Sequence, residues 1–456
     1  MITRREWLGA AAGAGVAGAA ARKPNVVVIF CDDLGYGDVG SFGSSMKTPN
    51  IDSLARDGIR FTHFYSGNPV CSPSRAALLT GRYPVRVGVP RVFFPYDTTG
   101  LPLQETTLAD LLKKQGYRTQ CVGKWHLGHH PEYLPTRRGF DGYFGIPYSN
   151  DMSPRWLMDG EKVIEEQATL ETLTPRYTER AVKFIEDSKG SPFFLYMPHT
   201  YPHVPLAASS RFRGKSPQGL YGDVISELDW SVGEVLSALK RTDAEKDTLV
   251  VFTSDNGPWF QGSPGRLRGR KGMTWEGGQR VPFIARYPGR IPKGRSSAGV
   301  ASLMDITPTI AKLCGASPLP NPPDGVDIWP MLDGSRPSIE REALLMFDTM
   351  DLQCARWGKW KLHLARRNVQ IYNPAPAGGA MTLPLPAPEL YDVTTDVDES
   401  YDVAAENPNV VAEMRRRIDG VMAGMPEPVR TAWTGVSGKK VGRSWAGQAP
   451  RPAPNR

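Results

Sequence analysis

Four apolar runs in this chain each break off in polar residues, and this repeated pattern constrains the fold more than any other feature. Asn25–Phe30 stops before Asp32 and Asp33, Tyr117–Val122 runs into Lys124 and His126, Pro192–Met197 into His199 and His203, and Thr248–Thr253 into Asp255 and Asn256. Continuous runs of this kind read as strands covered on both faces, as in a parallel sheet. Between them apolar residues recur at helical spacing: Ile51 and Leu54 after Pro49, Leu108, Leu111 and Leu112 after a cap at Thr106, a helix opened by Thr174 and Pro175, and Ile225, Leu228, Val232 and Leu239. Ile59–Tyr65 reads as one further strand. The alternation predicts an α/β domain with a mostly parallel central sheet flanked by helices. Ligands of such sheets bind outside the carboxyl ends of the strands, so the polar residues released there are expected to converge.

With 456 residues the chain has room for this domain and a smaller one, and 47 Gly and 41 Pro allow many loops on which to build a site. The domain is expected over 22–340. From about Glu342, ALLMF, ARWGKWKLHL and ELYDVTTDVDES read as short antiparallel strands followed by a helix from about Pro408 to Met422, so a small carboxyl-terminal domain with an antiparallel sheet is expected over 341–433. Residues 434–456 are rich in Gly, Pro, Lys and Arg and read as a disordered tail. A formal net charge of +8 is spread among Asp and Glu rather than gathered in an arm, which suits an anionic substrate and argues against a nucleic-acid partner. The five cysteines are widely spaced and form neither a disulfide framework nor a zinc motif; Cys31 and Cys121 fall within apolar runs and are expected to be buried.

The amino terminus, TRREWL followed by GAAAGAGVAGAAA, is similar to a twin-arginine export signal over 1–21. Its apolar part is shorter than the roughly 20 residues that span a bilayer. Export to the periplasm or outside the cell, the twin-arginine translocase as partner, and no stable membrane anchor are therefore expected.

Asp32, Asp33, Asp255 and Asn256 supply hard oxygen atoms, a set suited to Ca²⁺ or Mg²⁺ rather than zinc. Three ionised carboxylates gathered without a cation would repel one another. In VCSPSRAALLTGRYP (Val70–Pro84), Ser72 is a good helix N-cap, Pro73 suits the first helical position and Gly81 a stop, which puts Cys71 just before a short helix.

Cys71, Pro73 and Arg75 form a C-x-P-x-R pattern leading into LTGR, and this resembles the signature of the type I sulfatases. The resemblance extends from about Lys23 to Ala405; GIPYSND (Gly145–Asp151) resembles the branch of arylsulfatase A and N-acetylgalactosamine-6-sulfatase, and ESYDVA (Glu399–Ala404) departs from the family's usual ending. It implies an alkaline-phosphatase-like fold and the hydrolysis of sulfate monoesters, on a sulfated glycan or an aryl sulfate. It further implies that a formylglycine-generating enzyme oxidises Cys71 to formylglycine, whose hydrate is the nucleophile. A divalent cation, usually Ca²⁺, would be held by Asp32, Asp33, Asp255, Asn256 and residue 71 as formylglycine. Arg75 and Lys124 would position the hydrate, His126 would hydrogen-bond one of its hydroxyls, and Lys271 in GRKGMTWEGG would meet the sulfate. His203, in PHVP, matches the histidine that protonates the leaving alcohol, with His199 as its competitor. Ser149 matches a serine that approaches the substrate, a turn-forming role being equally open to it. A phosphodiesterase or phosphonate hydrolase using the same nucleophile, or a non-catalytic binder of sulfated polymers, are the alternatives.

Overall fold

The computed structural model describes residues 23–369, 373, 379–438 and 451–452. The expected export signal lies outside them, as does most of the expected tail. The centre of the molecule is a ten-stranded sheet. In chain order its strands are β1 (Asn25–Cys31), β2 (Ile59–Phe61), β3 (Arg118–Val122), β4 (Gly142–Gly145), β5 (Leu157–Asp159), β6 (Lys162–Glu165), β7 (Phe193–Pro198), β8 (Thr248–Ser254), β9 (Phe283–Arg286) and β10 (Arg295–Ser297). They lie side by side as β10-β2-β9-β8-β1-β7-β3-β4-β5-β6. The five from β8 to β4 are mutually parallel, and β1, β7 and β8 are buried along their whole length. That two-sided burial explains their unbroken apolar sequences.

Helices cover both faces: α1 (Pro49–Arg56), α2 (Cys71–Thr80), α3 (Leu108–Lys114), α4 (Leu173–Asp187), α5 (Gly219–Arg241) and α6 (Ile306–Leu313). Alternate residues of β1 feed two separate apolar clusters, Val26, Val28 and Phe30 against α2, α3 and α6, and Val27 and Ile29 against α1, α4 and α5. Beyond this domain β11 (Leu344–Asp348), β12 (Asp351–Trp357), β13 (Trp360–Arg367) and β14 (Thr382–Asp392) form an antiparallel sheet in sequence order. It carries α7 (Pro408–Ala423) and α8 (Glu427–Ser437), and packs through Leu345, Met346 and Phe347 on Tyr65, Ala77 and Tyr83 of the larger domain. Among the described residues, no helix is long and apolar enough to cross a membrane.

Four local expectations change. Ile59–Tyr65 is not one strand: β2 ends at Phe61, and Phe64–Tyr65 pairs with Ala301–Ser302 in a separate ladder. Thr107, not Thr106, caps α3, because its hydroxyl accepts from the Asp110 amide while the Asp110 carboxylate accepts from the Thr107 amide. Helix α2 starts at Cys71 with Val70 as its cap residue, and the Ser72 hydroxyl accepts instead from the Phe93 amide at 3.1 Å. Finally α8 continues through Thr434–Ser437, into the stretch expected to be disordered, because Val429 and Val436 bury one face of it.

Candidate active site

The carboxyl ends of β1, β3, β7 and β8 carry the polar residues that the sequence releases there, and the backbone is shaped to hold them. Asp33 and His126 have positive φ angles of 65° and 58°, conformations that side-chain-bearing residues rarely adopt and that tend to occur at functional sites. Gly123, between β3 and Lys124, lies where a Cβ would stand 1.8 Å from the Pro198 carbonyl oxygen, so only glycine lets β3 and β7 run this close.

At the first residue of α2 the Cys71 thiol, 2% exposed, points to Asp32 Oδ1 at 3.4 Å. Burial, then the Asp32 charge, raises its pKa far above the ordinary thiol range. Such a thiol is no ready nucleophile as it stands. One ligand-capable atom from each of Asp32, Asp33, Cys71 and His203 falls in a group spanning 4.8 Å or less. Asp255 sits beside this group: Oδ1 accepts from the Asp33 amide at 3.1 Å and Oδ2 takes the Arg75 guanidinium at 2.9 Å. Arg75 also reaches Asp32 at 3.6 Å and donates to the Lys124 carbonyl at 2.8 Å.

Lys124 Nζ pairs with Asp32 and donates to Ser149 Oγ at 3.1 Å, while Lys271 Nζ meets Asp33 at 2.9 Å. Burial alone would raise the Asp32 carboxyl, but Lys124, His203 and Arg75 together hold it well below the usual carboxylate range. Burial opposes the charge on Lys271, yet Asp33 keeps its pKa well above the ordinary lysine value. Three basic side chains thus face three carboxyl groups.

The histidines divide by position. His126 donates from Nε2 to the Phe93 carbonyl at 2.8 Å, which leaves Nδ1 an acceptor, and that buried atom has no partner among the described residues. Burial, Lys124 and Arg75 push its pKa well down, so it is neutral. His203 donates from Nδ1 to the Val204 carbonyl at 2.5 Å and turns Nε2 to Asp33 at 3.7 Å. His199 faces away, its Nε2 lying 3.5 Å from Ser231 on α5, and burial lowers its pKa to about 3.

The donor set accommodates a hard divalent ion. Asp32 and Asp33 offer carboxylate oxygens within one small volume. Asn256 donates from Nδ2 to Asp33 at 2.7 Å, leaving Oδ1 buried without a partner among the described residues. A buried orphan acceptor beside two carboxylates is a costly arrangement that a cation would relieve. Burial, then the Asp32 charge, raises the Asp255 pKa to about 7; a divalent ion would favour its ionised form, and three carboxylates, the three cations Arg75, Lys124 and Lys271, and that ion would then sum to +2, a field that draws a sulfate ester in.

Comparison with known proteins decides the family. The Sulfatase family model matches residues 24–316. The chain belongs to the sulfatase family. Human arylsulfatase A is 38% identical over 87% of this chain and 87% of its own length. The N-acetylgalactosamine-6-sulfatase of Canis lupus familiaris is 40% identical over 77% and 74%. Among solved structures, the PsFucS1 sulfatase from Pseudoalteromonas sp. superposes with a TM-score of 0.81, at 30% identity, over 88% of this chain and 90% of that one. This sulfatase therefore has the alkaline-phosphatase-like architecture and sits in the arylsulfatase A and N-acetylgalactosamine-6-sulfatase branch.

Two contributors escaped the sequence reading. The Phe93 carbonyl fixes the His126 tautomer, and Ser72 fixes Phe93; backbone groups leave no mark in a sequence. Glu399, buried with φ +51°, accepts from the Glu276 amide at 2.7 Å, from Lys361 at 3.0 Å and from His363 at 2.8 Å. It secures the loop that carries Lys271, and only its place in the ESYDVA departure singled out that region.

Proposed function

We propose that this sulfatase hydrolyses sulfate monoesters on a glycan and releases inorganic sulfate, with residue 71 acting as formylglycine. The observation that carries the reading is the Cys71 side chain at a helix start, buried against Asp32 among three carboxylates and three cations. The glycan rests on the sulfated sugar in the name of the canine relative and on a basic, exported chain.

The formylglycine hydrate supplies an oxygen nucleophile and a second hydroxyl able to collapse to the aldehyde, and the bound Ca²⁺ or Mg²⁺ supplies positive charge beside it. Asp32, Asp33, Asp255, Asn256 and residue 71 hold that ion. Arg75 and Lys124 orient residue 71, and His126 Nδ1, already an acceptor, takes a hydrogen bond from a hydroxyl there. Lys271, leaning on Asp33 and 12% exposed, meets the incoming sulfate. Ser149, which accepts from Lys124 at 3.1 Å, approaches the ester in this reading. His203, as the imidazolium that Asp33 and Asp32 favour against burial and Lys271, gives its Nε2 proton to the departing alcohol oxygen as a hydrate oxygen bonds to sulfur and the ester S–O bond breaks; the attacking hydroxyl's proton recharges His203, the second hydroxyl's proton leaves with the sulfate, and water adds back to the aldehyde. The chain is exported with residues 1–21 as a twin-arginine signal, after a formylglycine-generating enzyme has acted.

The test is the mass of the tryptic peptide containing residue 71 from a host with a maturation enzyme, measured beside sulfate release from aryl and saccharide sulfates and turnover of a phosphate diester. The aldehyde mass, sulfate release, and loss of turnover in a folded Cys71→Ala chain are expected. An unmodified thiol with no desulfation would leave a binder of sulfated polymers, and faster diester turnover would leave a phosphodiesterase.

A further inference from the structure

Exposed aromatic rings are scarce here: among the described residues, the large hydrophobic side chains left in solvent include only three aromatics, Tyr96, Phe260 and Tyr401. Two of the three stand on loops that hold the sulfate pocket together.

Tyr96, 77% exposed, stacks on Phe94 with ring centroids 5.3 Å apart and planes 7° from parallel. The turn that carries them is clamped. Arg91 forms a two-pronged pair with Asp97 at 2.6 and 2.9 Å, and Asp97 also accepts from the Phe94 amide at 2.7 Å. The preceding residue, Phe93, is fixed at both backbone groups, to Ser72 beside residue 71 and to His126. The Asp97 charge also bears on His129 and Tyr148, the latter next to Ser149.

Phe260, 47% exposed, packs edge-on to Trp259 at 5.1 Å. Arg270 lies 5.7 Å over the Phe260 ring and donates to the carbonyls of Trp259 and Gly262 at 2.8 and 2.7 Å. Its neighbour Lys271 donates from its amide to the Pro258 carbonyl at 3.0 Å while its ammonium group reaches Asp33. In the sheet the first loop hangs on His126, past the end of β3, and the second follows β8, so the two aromatic pairs flank the ends of β1 and β7.

We propose that Phe94–Tyr96 and Trp259–Phe260 are two saccharide platforms on either side of the sulfate pocket, which receive the sugar rings next to the sulfated one. This rests on the reading of the substrate as a glycan. The C–H face of a pyranose is apolar with its hydrogens positive, and it suits the electron-rich face of an aromatic ring. Because each ring is already braced by a second ring and an arginine-clamped loop, little side-chain entropy is lost on binding. An aryl sulfate fills the sulfate pocket alone and reaches neither platform.

The test uses the mature enzyme, with p-nitrophenyl sulfate and hexasaccharides of chondroitin sulfate, carrageenan and sulfated fucan as probes. On the hexasaccharide that the wild type desulfates fastest, Tyr96→Ala and Phe260→Ala are expected to lower kcat/KM by roughly three- to tenfold each, mainly through KM. On p-nitrophenyl sulfate they stay within about twofold, with melting temperature unchanged, and Tyr96→Phe and Phe260→Tyr keep oligosaccharide activity. Equal effects on both substrates, or none, overturn the platforms while the sulfatase reading stands. So does a changed sedimentation coefficient with unchanged oligosaccharide kinetics, which would make the rings a contact between copies. A wild type active on the aryl ester but on no hexasaccharide overturns the glycan reading and the platforms together, and one active on neither overturns the sulfatase reading itself.

Discussion

The molecule buries two ionic clusters of similar make-up, and the contrast between them separates chemistry from architecture. The first gathers Asp32, Asp33 and Asp255 with Arg75, Lys124 and Lys271. The second, under the antiparallel sheet, gathers Glu276 and Glu399 with Lys361, Arg280 and Arg356. In the second, each carboxylate is closed by fixed partners: Glu276 takes the Tyr65 hydroxyl at 2.9 Å and Lys361 at 3.1 Å, and Glu399 takes an amide, Lys361 and His363. The first stays open, with the Lys271 side chain 12% exposed where Lys361 is fully covered, and its acceptors on Asn256 and His126, unpartnered among the described residues, lie beside the carboxylates at the strand ends, whereas in the second cluster the unpartnered atoms are Nδ1 of His363 and guanidinium nitrogens of Arg280. Burial by itself thus says little about function. Unmet hydrogen-bonding capacity at the ends of parallel strands says much more.

Substitutions on the two sides should therefore fail in different ways. The largest effect on rate is expected from His203→Ala, which should slow desulfation of a sugar ester by about 10²–10⁴-fold, and of p-nitrophenyl sulfate by much less, since a phenolate leaves without help. Melting temperature should hold; equal losses on the two esters would remove the proton-donor role.

Lys361→Ala should do the reverse. It strands Glu276 and Glu399 in the interior and should cost about 3–5 kcal/mol of stability by denaturant titration. The chain that remains folded should still turn over, and a stable but inactive variant would put Lys361 in the chemistry.

The smallest expected effect is on the pH dependence of stability. Burial, Lys361 and Arg366 hold the His363 pKa well below 6.5, so this group favours the fold at neutral pH and that support is lost as pH falls below 6.5. About 1 kcal/mol should go over the first pH unit of that window. His363→Gln, which can still donate to Glu399, should flatten the stability curve there, and an unchanged slope would move the titration elsewhere.

Much of this was legible in the sequence, and for a physical reason. A strand buried on both faces must be apolar throughout, so β1, β7 and β8 stand out, and the residue after such a strand can be polar only where the sheet ends. Asp32, Lys124, His203 and Asp255 were visible on those grounds. The break at Thr62–His63 was not, because nothing in IRFTHFY marks a strand that changes sheets. Nor was the cap of α2: Ser72 has the right side chain, but its hydroxyl is used by Phe93, 21 residues away. The second cluster was hidden most completely. Glu276, Lys361 and Glu399 each look like ordinary surface charges, and only the docking of two domains makes them partners.

The bond from Glu399 to the Glu276 amide also sets a clock. Cys71 leaves the ribosome long before Glu399 does, by an interval on the order of half a minute at ordinary elongation rates. Until then the loop bearing Lys271 lacks one of its ties, and the antiparallel sheet that buries Ala77 and Tyr83 around α2 is not yet complete. Of the charged groups around the thiol, Lys124, Asp255 and Lys271 all follow it in the chain, so an enzyme that remakes it meets it more openly before they are made than after.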